Sequence, residues 1–495
     1  MELIQKQYEG YTLLLETEQQ REESCEVIVP DTLPDVYGVL AVYAQCQLKQ
    51  KTLRAGALTL EGVIQTQALC QTETEGDYRI VPGSIPFAQE YPLEGCREGD
   101  VAELRLEVCS CEGSLRNPRK LQLQARMAVE IQIYQSSAVP ITQGLDAPPE
   151  DGMELLQEET QLELLTAVAE KKLVAADELP LGEEGALLTA QVQWRTEEVR
   201  VLTNKVMLRG NAALQAVFFQ GSDTRTQDWL IPFSQVLDCP GAEPGDRAEV
   251  SCQTLLLQSE IAEGERRVLS CSVTGCAWAK LTRTVRAPVL RDAYSTRYTS
   301  QCRREDCCCP VCRPFEECVP VSETLSGEEP AQRILDVRWS ARCGVEEGKL
   351  RAELLFRVLY CCPMGRIHCT EKGIRVLSDQ APCAEKLCCR VQVEQLSVQP
   401  AGDGKIDLRC TVRLRGWGEV KQSCGQVCAC TLDREAPREL PPPGTLVLRT
   451  VEPQETPWTI AKAYGSRPRE ILEANHLDPG GALTPGQLVM IPFKR

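Results

Sequence analysis

Cysteine offers the most chemistry in this 495-residue chain, which holds 27 of them. The densest run is Cys302-Arg303-Arg304-Glu305-Asp306-Cys307-Cys308-Cys309-Pro310-Val311-Cys312, with Cys318 beyond it. Cys309-x-x-Cys312 has the spacing at which two thiolates from one turn reach the same tetrahedral zinc ion. A second CxxC or CxxH at knuckle spacing is missing, and three consecutive cysteines cannot all point at one metal. No metal and no cofactor is therefore expected, and the stretch reads as an exposed linker of free thiols or disulfides. Cys109-x-Cys111 and Cys428-x-Cys430 suit one strand face as well as a ligand pair. Elsewhere Cys410 alternates with Leu408, Val412 and Leu414, and Cys271 with Leu269 and Val273, where small core hydrophobes belong. Only two histidines, His368 and His476, are present, too few for His-centred catalysis to stand out. Among 71 carboxylates no Asp/Glu pair is informative, and no phosphate-cradling Gly-Lys-Ser/Thr loop occurs. A redox role for the CxxC would need a βαβ context that its surroundings lack. No catalytic residue is assigned, and the chain is expected not to be an enzyme.

The charge balance narrows the partners. With 54 Lys and Arg against 71 Asp and Glu, the net charge is −17. Nucleic acids and anionic membrane surfaces demand cations, so both are excluded as targets. Met1-Glu2-Leu3-Ile4-Gln5-Lys6 shows no basic region leading into an apolar one. No stretch approaches the ~18 uninterrupted apolar residues of a transmembrane segment. The expectation is a cytoplasmic, multidomain protein whose thiols stay reduced.

Period-2 alternation dominates the segments that must position these residues. Leu121, Leu123, Ala125, Met127, Val129, Ile131 and Ile133 form one face of a long strand. Leu350 through Tyr360 repeats the pattern, as does Val206 through Phe218, with Gly210 at an expected bulge. Ile85-Pro86-Phe87 recurs as Ile231-Pro232-Phe233, and Gly95-x-x-x-Gly99-Asp100-x-Ala102-Glu103 as Gly241-x-x-x-Gly245-Asp246-x-Ala248-Glu249, always 146 positions on. Each Pro is expected to follow a strand end, and a new strand to begin after each Gly-Asp. Trp194 and Trp339, 145 apart, suggest a fainter third copy. A period this long means whole repeated domains. The expected fold is mainly β: tandem antiparallel β-sandwich-like repeats at 1–136, 159–285 and 321–436. An acidic linker at 137–158, the Cys-rich linker at 286–320 and a stiff spacer from Pro437 through Pro441-Pro442-Pro443-Gly444 to 445 join them.

Residues 446–495 change character. Leu446 to Val451 reads as a strand. Thr456 and Pro457 open a helix that Gly465 closes, and Arg467 to Asn475 is a second short helix. Leu483-Thr484-Pro485-Gly486-Gln487-Leu488-Val489-Met490-Ile491-Pro492 supplies a turn and a closing strand. Trp458, Ile460 and Ile471 are expected in the core of this small α+β (βααβ) domain. Thr-x-Trp-x-Ile-Ala, Tyr-Gly, Ile-Leu-x-x-Asn and Pro-Gly-Gln-x-x-x-Ile-Pro occur in the order of a LysM domain, which the segment resembles.

Tandem β domains followed by one LysM resemble the SipL-like spore coat morphogenetic proteins of anaerobic spore-forming bacteria. Leu33-Pro34-Asp35, the Ile-Pro-Phe pairs and the Gly-Asp pairs carry that likeness. It implies a non-enzymatic scaffold on the mother-cell side of the forespore surface, with the LysM binding the SpoIVA-like coat ATPase. The alternative is a LysM that binds peptidoglycan, an N-acetylglucosamine polymer. By the same resemblance, Gln454, Glu455, Thr456, Pro457, Leu483, Thr484 and Pro485 line the LysM groove. Asn475, His476 and Phe493 are added as exposed positions flanking the core. Gln454-Glu455-Thr456-Pro457 replaces the usual Gly-Asp-Thr-Leu, which removes a glycine tolerant of close ligand approach. An oxidoreductase or zinc enzyme is a distant third reading.

Overall fold

Alternating apolar and polar side chains favour extended backbone, because only there do successive side chains point to opposite faces. The computed structural model describes residues 1–182, 185–221, 223–262, 267–346, 349–378, 386–439, 441–442, 445–478 and 481–493, with backbone alone at 307–312, 345–346, 386, 388, 417 and 419–424. Its first unit comprises β1 (Glu2–Ile28), β2 (Val36–Arg54), β3 (Ala57–Thr72), β4 (Tyr78–Pro92), β5 (Val101–Asn117) and β6 (Lys120–Asp146). The second comprises β7 (Met153–Pro180), β8 (Ala186–Leu202), β9 (Lys205–Gln220), β10 (Asp223–Asp238), β11 (Arg247–Ala262) and β12 (Val268–Ser295). The third comprises β13 (Tyr298–Leu325), β14 (Arg333–Glu346), β15 (Lys349–Cys361), β16 (Ile367–Ser378), β17 (Lys386–Pro400) and β18 (Ile406–Pro437).

All three units share one topology. In each, the last strand lies between the first and the fifth, giving β1-β6-β5, β7-β12-β11 and β13-β18-β17. The second, third and fourth strands form the facing meander, β2-β3-β4, β8-β9-β10 and β14-β15-β16. Every ladder is antiparallel. The alternating face of β6, from Leu121 to Ile133, is wholly buried between the two sheets of the first unit. Cys271 and Cys410 are buried in the cores of the second and third units, where Cys271 is pushed up to about 11 by desolvation. Burial that raises a thiol pKa keeps it protonated and inert. Each unit is thus a sandwich, as the alternation implies.

The repeat marks have structural counterparts. Pro86 and Pro232 sit inside β4 and β10, opposite Val63 and Asn211, and not after a strand end. Both strands are sheet edges, where a missing N–H faces outward and costs no ladder bond. The Gly-Asp marks do precede new strands, β5 and β11. Asp100 accepts the N–H of Arg97 at 2.8 Å and Asp246 that of Glu243 at 3.0 Å, closing equivalent turns. The bulge expected at Gly210 lies across from it, between Thr196 and Glu198 on β8. A side chain at Gly210 would collide with the Arg195 carbonyl, and one at Gly62 with that of Gln47 beside the matching bulge on β2.

Two expected joints are different in the structure. Residues 137–158 are mostly strand, completing β6 and opening β7, with only a short turn at Pro149–Asp151. Residues 286–320 complete β12 and supply most of β13. β13 is an edge strand, and Pro310, Pro314 and Pro320 fall at even spacing with no register shift among them. All three missing N–H groups therefore face the same open side, which a Pro-rich strand tolerates. The side chains of Cys309 and Cys312 lie outside the described residues. Cys302 and Cys430 face one another across β13 and β18, with sulfurs 2.7 Å apart. In the Pro-rich spacer, Pro437 ends β18 and Arg438 is held by the Arg297 carbonyl; Pro443 and Gly444 lie outside the described residues.

Each unit ends beside its own beginning: Glu2 pairs with Asp146, Met153 with Ser295, and Tyr298 with Pro437. The meanders of all three units share one apolar cluster, including Tyr43, Leu69, Val217, Phe219, Leu359 and Ile367. At a second junction Glu103 of the first unit meets Lys280 of the second at 3.2 Å and Arg390 of the third at 3.5 Å. The Ser251 hydroxyl donates to Glu103 at 2.6 Å. Side-chain exposure is 8% for Lys280 and 10% for Glu103. Desolvation opposes the charge on Glu103, but Lys280, Ser251 and Arg390 outweigh it and hold its pKa below the usual value. Glu103→Ala removes the main partner of a buried ammonium and should destabilise the protein by about 3 kcal/mol, read by urea denaturation. The paired change Glu103→Leu with Lys280→Met should recover most of that loss.

Candidate binding surfaces of the C-terminal module

The C-terminal module is built from β19 (Val447–Thr450), α1 (Pro457–Tyr464), α2 (Pro468–Ala474) and β20 (Leu488–Ile491), the βααβ order expected. Thr456 caps α1: its hydroxyl accepts the Thr459 N–H while the Thr459 hydroxyl accepts that of Thr456, a reciprocal capping box. Gly465 ends the helix with φ 68°, in the left-handed region. Ile460, Ile471, Val489 and Ile491 form the core, with Trp458 packed at its margin.

One residue of that core, Tyr294, comes from β12. The module is docked on the second unit through its α1 side. The Tyr294 ring meets Trp458 edge to face at 4.9 Å, and its hydroxyl donates to the Ser466 carbonyl at 2.7 Å. Asp292, nearly buried on the same strand, accepts from Trp458 Nε1 at 2.9 Å and from Lys462 Nζ at 2.7 Å, and pairs with Arg304 at 2.8 Å. Arg467 pairs with Glu154 at 3.1 Å, and Arg438 donates to the Lys462 carbonyl at 2.8 Å. The spacer therefore holds the module against the scaffold. Sequence reasoning missed Asp292 and Tyr294, since nothing in Arg291-Asp292-Ala293-Tyr294-Ser295 distinguishes a docking site from ordinary strand.

The loops expected to form a groove lie together: the Val451 N–H reaches the Gln487 carbonyl and the Gly486 N–H that of Val451, each at 2.9 Å. Several of the expected contact residues are committed inside the module. Glu455 pairs with Arg449 at 2.6 Å and accepts the Glu452 N–H at 2.9 Å. Thr484 is tied to Gln487 Oε1 at 3.1 Å through both N–H and hydroxyl. Asn475 is not an exposed contact: its amide donates to the Ile471 and Met490 carbonyls and accepts the Met490 N–H, each at 2.7 Å. Leu483 and Phe493 pack against the core. Gln454 and His476 are exposed, both with left-handed backbone, Thr456 and Pro485 are exposed, and Pro457 is half-buried.

The outer face of β19 and β20 is a surface that sequence reasoning passed over. Leu448 is opposite Met490 and Thr450 opposite Leu488, so these four share the face turned away from the helices. Leu446, Leu448 and Leu488 are 59%, 52% and 60% exposed. The signal was present: Leu446-Val447-Leu448 puts apolar residues on both faces of one strand, which a strand with one solvated face does not need.

Residues 450–492 match the LysM domain family, and residues 186–261 match the SipL, SPOCS domain family. The chain carries a LysM domain and a SPOCS domain. This is the pairing that the sequence resemblance implied. The SPOCS match spans β8 to β11, within a strand order that recurs in the units before and after it. No curated protein and no solved structure shows significant similarity to the chain. Both matched families are non-catalytic binding domains; a SPOCS domain suggests a spore coat role and a LysM domain suggests glycan or peptidoglycan binding. No helix among the described residues is long and apolar enough to cross a membrane.

Docking of the LysM domain should depend on pH through Asp292. Burial raises its pKa, but hydrogen bonds from Lys462, Trp458 and Arg304 outweigh that and hold it below the usual value. A carboxylate with a depressed folded pKa stabilises fully above its unfolded value of about 3.9 and loses that contribution as pH falls through the folded value. Proteolysis of the 438–446 joint should therefore be slow at neutral pH and accelerate below about pH 4. Asp292→Ala should accelerate it at pH 7, weakening docking by about 1–2 kcal/mol, because the Lys462 and Arg304 cations it releases are partly exposed and regain water.

Proposed function

We propose that this protein is a non-enzymatic scaffold of spore coat assembly. Its LysM domain holds a protein partner, the SpoIVA-like coat ATPase, on the mother-cell side of the forespore surface. The observation that carries this reading is the exposed leucine face of the LysM sheet. Contiguous exposed apolar surface is characteristic of protein contacts, whose centres are apolar with a polar rim. The α1 side is turned to the scaffold, so the leucine face and the adjoining loops are what the LysM domain presents. The tandem SPOCS-like units then act as the rigid body that places it.

Peptidoglycan binding is the second reading, favoured by the LysM match itself and by the juxtaposed loops at 451–456 and 484–487. Against it, Glu455 and Thr484 already spend hydrogen-bonding capacity within the domain, and a single glycan module lacks the multivalency that strengthens weak sites.

Full-length protein separates the two. Leu448→Asp with Leu488→Asp should reduce retention of the SpoIVA-like ATPase in a pull-down at least about tenfold, the effect of losing one apolar anchor. Gln454→Ala with Pro485→Ala should leave it unchanged. Co-sedimentation with purified peptidoglycan that survives the leucine changes and is lost on the loop changes would establish the glycan reading instead.

A further inference from the structure

The third unit gathers a mixed thiol, imidazole and carboxylate cluster. Its Cys362 follows β15 in the turn Cys362-Pro363-Met364-Gly365-Arg366, closed by Cys362 N–H to Arg366 O at 2.9 Å and Gly365 N–H to Cys362 O at 3.0 Å. His368 is the second residue of β16, two beyond that turn. Glu329 comes from the segment between β13 and β14, its N–H directed at the Tyr360 hydroxyl at 3.4 Å. The turn thereby brings three donor types, distant in sequence, to one place. One donor atom from each of Glu329, Cys362 and His368 lies within 4.8 Å of the others.

Further features distinguish this cluster from a chance grouping. Cys362 is completely buried. His368 Nε2 is buried with no hydrogen-bond partner among the described residues, 3.5 Å from Glu329 Oε2. A buried imidazole nitrogen that meets a carboxylate without a hydrogen bond is under-satisfied unless a further group takes its lone pair. Its other nitrogen, Nδ1, faces the Glu328 carboxylate at 3.7 Å, and its ring stacks on Tyr360 at 5.6 Å between centroids. This is how metal-bound histidines are held: one nitrogen on the ion, the other oriented by a carboxylate. Arg366 grips the second oxygen of Glu329, which aims Oε2 toward His368. The Arg366 charge opposes a cation, but Glu75 at 3.6 Å also offsets it, so the cluster keeps an acidic balance.

We propose that Cys362, His368 and Glu329 bind a zinc ion, with Glu328 orienting the histidine. Zinc fits thiolate, imidazole and carboxylate together, and a tetrahedral ion at ~2.0–2.3 Å from its ligands needs donor atoms about 3.3–3.8 Å apart. The observed nitrogen–oxygen separation of 3.5 Å falls in that range. Three protein ligands leave the fourth position to water. The ion would fasten the 326–331 segment to the β15–β16 hairpin, next to the apolar cluster that Cys361 and Ile367 share with the other units. The one serious metal candidate read from sequence, the Cys302–Cys318 run, shares no residue with this site.

The test uses full-length protein purified under reducing conditions, loaded with zinc sulfate and dialysed. One zinc per chain is expected by elemental analysis, and a thiolate-to-metal charge-transfer band when cobalt replaces zinc. His368→Gln, a side chain partly open to solvent, should lose the stoichiometric zinc while keeping the wild-type circular dichroism. Cys362→Ser should abolish the charge-transfer band, and Cys309→Ser should retain both signals. Failure of the wild type to hold zinc would overturn the assignment. So would zinc retained in folded His368→Gln, or zinc lost on Cys309→Ser alone.

Discussion

A carboxylate removed from water sets the terms on which the three units coexist. Glu103 belongs to the first unit, but the groups that neutralise it, Lys280 with Ser251 and Arg390, belong to the second and third. Any arrangement that separated the units would leave charge desolvated without its complement or force the whole junction to flood. Apolar burial alone is indifferent to small slips between surfaces, whereas an ion pair with a fixed hydrogen-bond donor is not. The shared apolar cluster supplies bulk attraction, and the Glu103 junction supplies register.

The same principle recurs at the LysM domain on a smaller scale. Asp292 is one carboxylate with donors from Trp458, Lys462 and Arg304, and Tyr294 completes a core that the small domain fills only partly by itself. Domains of about fifty residues bury too little of their surface to be generously stable. Borrowing an aromatic ring from the scaffold offsets that deficit and orients the leucine face at the same time.

Much of this was legible in the sequence, for identifiable reasons. Strands such as β6, β9 and β15 alternate because one face meets the core of their own unit. β9 and β15 break the pattern at Val217, Phe219 and Leu359, where the other face joins the cluster shared between units. The LysM helices carry their own stop and start signals at Thr456, Pro457 and Gly465. The sandwich repeats announced themselves through Pro86 and Pro232 and through Asp100 and Asp246, whose roles are local: an edge strand and a closed turn. What misled was punctuation. Pro149, Gly152, Pro310, Pro314 and Pro320 look like linker, yet an edge strand admits proline at alternate positions and a tight turn needs the glycine. Asn475 looked available because its partners, Ile471 and Met490, offer backbone carbonyls that sequence does not display. The Glu329, Cys362 and His368 cluster was invisible because its members come from a loop, a turn and a strand that only the third unit's fold assembles.

The pairing of each unit's first residues with its last makes every unit a closed excursion that returns the chain to its point of departure. Glu2 with Asp146, Met153 with Ser295 and Tyr298 with Pro437 mark those returns. Gene duplication is then geometrically cheap, since a whole excursion inserted or deleted leaves the entry to the next one where it was. It also means that tension between the chain ends is borne at the joints between excursions and opens each ladder one rung at a time from its end. The LysM domain, attached by Asp292 and Tyr294 close to one of those returns, would keep its footing on the scaffold while the distant ends of the sandwiches vary.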